Sequence, residues 1–234
     1  MSDNIGRLQS HGFKWEDESF EVLIEKYPNC KSALLWWCSK FKERYNFKGY
    51  SQFDIGYNKY LKEFILQNPP YFKISSKCCY YAKKRPAKNL GKKYNADLQI
   101  IGVRKAEGGI RSTSYKSCFD IRENGEDKYR PIFWYKDDTK KQYESKFNIE
   151  HSACYTKYGF KRTGCCCCPY GRNLEEELEV TRIFEPKLYK AVCNVFKDSY
   201  DYTREYRKFV EMMKLKEDKT QIEGQMDLSD FIRG

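Results

Sequence analysis

The chain has 234 residues, 40% of them apolar, which suits one domain with a core and a small appendage. Its 44 Lys and Arg outweigh 33 Asp and Glu, and the net charge of +11 favours anionic partners such as nucleotides, sulfonucleotides or nucleic acid. No run approaches about 18 consecutive apolar residues, which excludes a membrane-spanning helix, and neither repeats nor low-complexity tracts occur.

The opening MSDNIGRLQS contains no apolar stretch of the kind that heads secreted chains, so a reduced, cytoplasmic setting is expected for the eleven cysteines. Apolar spacing predicts a helix from Ser19 to about Tyr27, stopped by Pro28, and a second through Ala33-Leu34-Leu35-Trp36-Trp37 to about Tyr45. Tyr57 to Leu66 reads as a third, halted before Pro69-Pro70. Asp97 to Val103 is short, apolar and β-branched, and predicts a buried strand ending at Arg104, with a ligand-facing loop beyond it. Pro131-Ile132-Phe133-Trp134 is a second apolar segment, followed by helical character from Asp137 to Phe147. From Leu174 the chain is charged and helical in pattern to Leu215, and the last twenty or so residues are expected to fray or dock on a partner. The expected division is therefore 1–173, carrying the cysteine cluster, and 174–234, a helical extension.

Four consecutive cysteines, Cys165-Cys166-Cys167-Cys168, precede Pro169, and a vicinal pair, Cys78-Cys79, lies far upstream. Neighbouring cysteines do not readily pair with each other. A trans peptide holds their Cα atoms about 3.8 Å apart, whereas a disulfide wants roughly 4.4 to 6.8 Å. In a reduced compartment such clusters point to one soft-metal site, while Cys30, Cys38, Cys118, Cys154 and Cys193 read as packing residues. The first pair sits inside Lys77 to Lys93, which has seven cationic side chains and no acid. Such a run is ordinarily a solvated face, but beside candidate ligands it points to anion binding. His11 and His151 stand away from any motif, and no hydrolytic triad is spaced in the chain.

Taken in order, these pieces resemble the phosphoadenosine phosphosulfate reductase family of the PP-loop ATP pyrophosphatase superfamily. The matching elements, from about Lys77 to Arg172, begin with Cys78-Cys79 followed by Lys83, Lys84 and Pro86, and continue with Gly102-Val103-Arg104 together with Glu107 and Arg111. They end with Pro131-Ile132-Phe133-Trp134 before Asp137-Asp138, then Tyr155 to Gly159 and Arg162-Thr163-Gly164 running into the four cysteines. The resemblance implies an α/β fold with a partial, N-terminally shortened sheet of the adenine-nucleotide alpha-hydrolase type and a helical C-terminal region. It also implies a 4Fe-4S cluster on Cys78, Cys79, Cys165 and Cys168, with zinc as the alternative and Cys166 and Cys167 open as substitutes. Lys83, Lys84, Arg104, Arg111 and Arg162 would form an anion pocket.

The sequence departs from that family in one respect: no Ser-Gly-Gly-x-Asp-Ser-like phosphate loop occurs in it, and its only Gly-Gly is Gly108-Gly109. The expectation is therefore an iron-sulfur subunit of a sulfur-transfer or sulfonucleotide-processing enzyme, oxidoreductase- or sulfurtransferase-like, whose phosphate loop comes from a second subunit. ATP pyrophosphatase activity by this chain alone is not expected. The alternatives are an inactive relative that binds nucleic acid or protein, as a regulator or a mobile-element counter-defence factor, and a zinc-stabilised adaptor.

Overall fold

The computed structural model describes residues 2–41, 51, 53–75, 77–108, 115–123, 125–160 and 165–230, without the side chains of residues 2, 79 and 220–230. The chain sorts into two compact units, Met1–Ser76 with Arg162–Gly234, and Lys77–Lys161. The boundary expected at 173/174 falls inside the first of these.

The first unit is helical. Its elements are α1 (Ser2–Ser10), α2 (Phe20–Lys26), α3 (Lys31–Trp37) and α4 (Leu61–Gln67), followed late in the chain by two longer helices. Helix α2 starts where Ser19 caps the backbone N–H of Val22 at 3.4 Å, close to the sequence expectation. Helix α3 is shorter than its apolar pattern suggested. Ser39 takes the left-handed conformation, at φ 54°, and the N–H of Lys40 bonds back to the carbonyl of Leu35 at 2.9 Å. That is a Schellman-type stop, which periodicity does not reveal. Residues 42–50, where the expected helix would continue, lie outside the described residues.

The late helices are α8 (Leu174–Phe184) and α9 (Pro186–Asp230), separated at Glu185 because Pro186 cannot continue a helix. Helix α9 carries Tyr202, Tyr206 and Phe209 at helical spacing, and all three rings close on Phe64 of α4 at 5.1, 5.2 and 5.4 Å. The C-terminal helix thus completes the same core as α1 to α4. Trp37, fully buried there, also donates from its indole Nε1 to the carbonyl of Glu16 at 2.8 Å. Gln9 of α1 donates to the carbonyl of Phe72 at 2.7 Å and accepts from the N–H of Ile74 at 2.9 Å, which pins the segment after α4. The backbone of α9 stays helical through Asp230, where fraying or docking on a partner was expected. No described helix is long and apolar enough to cross a membrane.

The second unit carries the α/β character. A helical turn, Lys77–Cys79, passes through a π-helical turn, Tyr80–Lys84, into α5 (Arg85–Lys93). Three short strands follow, β1 (Leu98–Ile100), β2 (Phe119–Asp120) and β3 (Asp127–Tyr129), then α6 (Asp137–Lys146) and α7 (Ala153–Thr156). The sheet order is β1-β3-β2, with β1 parallel and β2 antiparallel to the central β3. The register places Ile100, Tyr129 and Phe119 in one row, and Leu98 shares a face with Ile100.

The expectation of a buried strand is corrected here. Strand β1 is three residues long, with Leu98 40% and Ile100 66% exposed, and burial begins only at Val103. A parallel strand is buried on both sides only when helices cover both faces, and among the described residues of this unit none covers that row.

Candidate metal centre

The four-cysteine run folds as a turn leading into α8. The N–H of Cys168 bonds the carbonyl of Cys165 at 3.3 Å, so the first and last cysteines stand at the two ends of one reversal. Cys167, at its third position, has φ 50°, a left-handed conformation in which glycine or asparagine ordinarily sits. This conformation splits four chemically identical residues into different roles. Cys165 and Cys168 are half-buried, Cys166 is exposed and Cys167 is fully buried.

The Cys167 side chain enters a small core formed by Leu174 and Leu178 of α8 with Val192 and Tyr200 of α9. Its thiol donates to Thr181 Oγ1 at 3.2 Å, and the Thr181 hydroxyl donates in turn to the carbonyl of Glu177 at 2.7 Å. Tyr200 closes the other side by donating its hydroxyl to the carbonyl of Cys167 at 2.8 Å. Burial pushes the Cys167 thiol up to about 12 and holds the Tyr200 phenol above its ordinary range. Complete burial and these hydrogen bonds make Cys167 an anchor of the turn. Cys166 Sγ lies 3.6 Å from Cys167 Sγ and 3.6 Å from Thr181 Oγ1, at the mouth of the same core. Cys165 and Cys168, the two named from the sequence, stand half-buried at the two ends of the turn.

The segment after the turn is fixed by α9. The N–H of Gly171 bonds the carbonyl of Cys168 at 2.8 Å, and Arg207 donates to the carbonyl of Gly171 at 2.7 Å. Arg204 forms a bidentate pair with Glu175 of α8, 2.9 Å on each arm. A cavity of about 410 Å³ opens beside this segment, lined by Tyr170, Arg172, Tyr202, Tyr206 and Arg207 over Ile5, Leu61 and Ile74. Thr181, Tyr200 and Arg207 are supports that sequence reading missed. Each is an ordinary residue on an amphipathic helix until the fold brings it to the turn.

In the second unit, Cys78 is exposed on the helical turn Lys77–Cys79, and the Cys79 side chain lies outside the described residues. Among the described residues, no group of three or more His, Cys, Asp or Glu side chains is gathered as a metal site. Lys83 and Lys84 stand exposed in the π-helical turn that follows. Arg104 donates to Asp137 at 2.9 Å and to the carbonyl of Tyr135 at 3.4 Å, so an anion arriving there meets a guanidinium already paired. Glu107 accepts from the backbone N–H of Arg104 at 3.1 Å and caps the turn Lys105–Glu107. Arg111 and Arg162 lie outside the described residues.

The most buried cation of this unit is another one. Arg130, directly after β3, is fully buried, donates to the carbonyl of Ser117 at 2.8 Å and to the Asp120 carboxylate, and stacks 4.1 Å from the centre of the Tyr115 ring. Its hydrogen bond holds the Asp120 carboxyl below the ordinary range. Before the fold was known, one arginine between a strand and Pro131 carried no signal that set it apart from a surface charge.

Compared with known proteins, residues 36–170, more than half of the chain, match the model of a family described as phosphoadenosine phosphosulfate reductase domain. That match begins well upstream of Lys77, where the motifs begin. No curated protein and no solved structure matches the chain.

Proposed function

The chain belongs to the phosphoadenosine phosphosulfate reductase family, and from that premise we propose that it is an iron-sulfur protein acting as one subunit of a sulfur-transfer or sulfonucleotide-processing enzyme. Cys165 and Cys168 would hold a 4Fe-4S cluster together with Cys78 and Cys79, with tetrahedral zinc as the alternative occupant. The carrying observation is the turn itself. Four consecutive cysteines are sorted so that Cys167 is an anchor, Cys166 is exposed and the outer two stand at the ends of one reversal. A thiolate-only donor set suits a soft metal or a cluster. When bound, such a cluster would supply a local charge and a redox-capable centre.

The chain's own residues then do the following. Burial keeps the Cys167 thiol protonated, while Thr181 and Tyr200 hold its sulfur and its carbonyl in place, which fixes the direction of the turn. Arg207 tethers the carbonyl of Gly171, keeping the segment after Cys168 against α9. Lys83 and Lys84, with Arg104, Arg111 and Arg162, would receive the anionic part of a substrate, and at Arg104 that anion competes with Asp137.

The phosphate loop is proposed to come from a second polypeptide that covers the open row Leu98, Ile100, Tyr129 and Phe119 and extends the sheet into a full adenine-nucleotide alpha-hydrolase-like one. A second reading, a catalytically inactive relative that binds nucleic acid or protein, draws on the exposed basic helix at Lys77–Lys93. Titrating adenosine phosphosulfate and ATP against the chain alone, and against the chain with a co-purified partner, separates the two. The subunit reading expects no release of AMP and pyrophosphate by the chain alone and a gain of nucleotide binding with the partner. ATP turnover by the isolated chain contradicts it.

A further inference from the structure

We propose that the helix Arg85–Lys93 and the tyrosines at its two ends form a binding surface for single-stranded nucleic acid. The proposal takes its partner class from the second reading above and does not depend on the cluster. Arg85, Lys88 and Lys92 recur at i, i+3 and i+7, which places them along one face of α5 over about 10 Å. All three are exposed, and none of them forms an ion pair among the described residues. The helix contains no acid. The Glu126 carboxylate lies against it at Gly91, where it would meet an added Cβ.

An exposed aromatic ring stands at each end of this stripe. Tyr81 is 54% exposed with the Arg85 guanidinium 5.6 Å from its ring centre, and Tyr94 is 70% exposed with Lys93 Nζ at 5.3 Å. Tyr80 packs edge-on to Tyr81 at 5.3 Å, and a ring with a cation beside it offers a flat group a stacking face and a positive charge together. Rings that stack unpaired bases, separated by cations that meet phosphates, are the chemistry of sequence-tolerant single-strand binding. A duplex would satisfy the cations but not the rings, because its bases are already stacked on each other.

The test is fluorescence anisotropy of the full chain with labelled oligo(dT) and oligo(rU) of about 20 nucleotides, with a duplex of equal length, over roughly 50 to 200 mM salt. The surface predicts tighter binding to the single strands than to the duplex. It also predicts that the triple variant Arg85→Ala, Lys88→Ala, Lys92→Ala lowers the slope of log affinity against log salt by about 2, from three phosphates at about 0.7 each. Tyr81→Ala with Tyr94→Ala should weaken single-strand binding about thirtyfold or more and leave that slope unchanged. A triple variant that binds with an unchanged slope overturns the proposal. So does a duplex, or an anionic phosphatidylserine vesicle, bound as well as the single strand. Absence of single-strand binding at the lowest salt also overturns it, and would leave the iron content, and with it the cluster reading, untouched.

Discussion

Replacing Cys167 by alanine and by glycine tests whether the turn is held in the left-handed conformation that makes Cys167 an anchor. Loss of the buried sulfur costs both variants about 1 kcal/mol, the scale of one deleted methylene in a core. Glycine forfeits a further 0.8 kcal/mol or so with the Cβ and about 0.7 kcal/mol of unfolded-state entropy. It recovers about 1.5 kcal/mol, because only glycine accepts φ 50° without steric cost. The two variants should therefore agree within about 0.5 kcal/mol. A control shows the ordinary order: Ala33, buried in α3 at right-handed geometry, should lose about 1.5 to 2 kcal/mol on Ala33→Gly. Urea titration followed by tryptophan fluorescence reports the relevant unit, since Trp15, Trp36 and Trp37 all lie in it. If Cys167→Gly falls below Cys167→Ala by as much as Ala33→Gly falls below the parent, the left-handed turn is refuted.

Phe64→Ala should cost about 3 to 5 kcal/mol, because it opens a cavity under Tyr202, Tyr206 and Phe209, and a Tm drop of only a degree or two would show that α9 does not complete this core. Stability should decline as pH rises from about 9 towards 12. The buried Cys167 thiol is raised relative to its unfolded value, so its contribution is whole below the unfolded value and lost as pH climbs through the folded one. A denaturation midpoint flat across that window contradicts the buried thiol. Brief iodoacetamide treatment of the metal-free chain at mild alkaline pH should label Cys78 and Cys166 first and Cys167 last, and mass mapping that finds Cys167 among the early sites overturns the assignment of roles. Arg130→Ala should lower the melting temperature by emptying a fully buried site and leaving the Ser117 carbonyl without its donor, checked by thermal melts, and a neutral result would place Arg130 in solvent.

The helices that were read from the sequence were legible because each has its own periodicity and punctuation. Pro28 and Pro69 lie where helices stop, and Asp137 to Lys146 formed within the stretch read as helical to Phe147, whereas α1, α5 and the break at Pro186 were not read. The order of the cysteine, arginine and proline motifs was also enough to reach the family. What was hidden depends on groups distant in sequence. The exposure of β1 depends on what covers its face, and the end of α3 on the φ of Ser39. Within the run of four cysteines no local signal separates the anchor from its neighbours, because the difference lies in which residue places its thiol on Thr181 and its carbonyl under Tyr200, up to 33 residues further on. Arg207 looked like an ordinary solvated charge on a C-terminal helix until α9 folded back over Gly171.

Anaerobic purification with iron and acid-labile sulfide quantified in the parent chain, Cys168→Ser and Cys167→Gly tests the cluster most directly. The account predicts about four iron and four sulfide per parent chain, retained in Cys167→Gly and lost in Cys168→Ser. Stoichiometric zinc without sulfide, or a loss that follows Cys167 rather than Cys168, contradicts it.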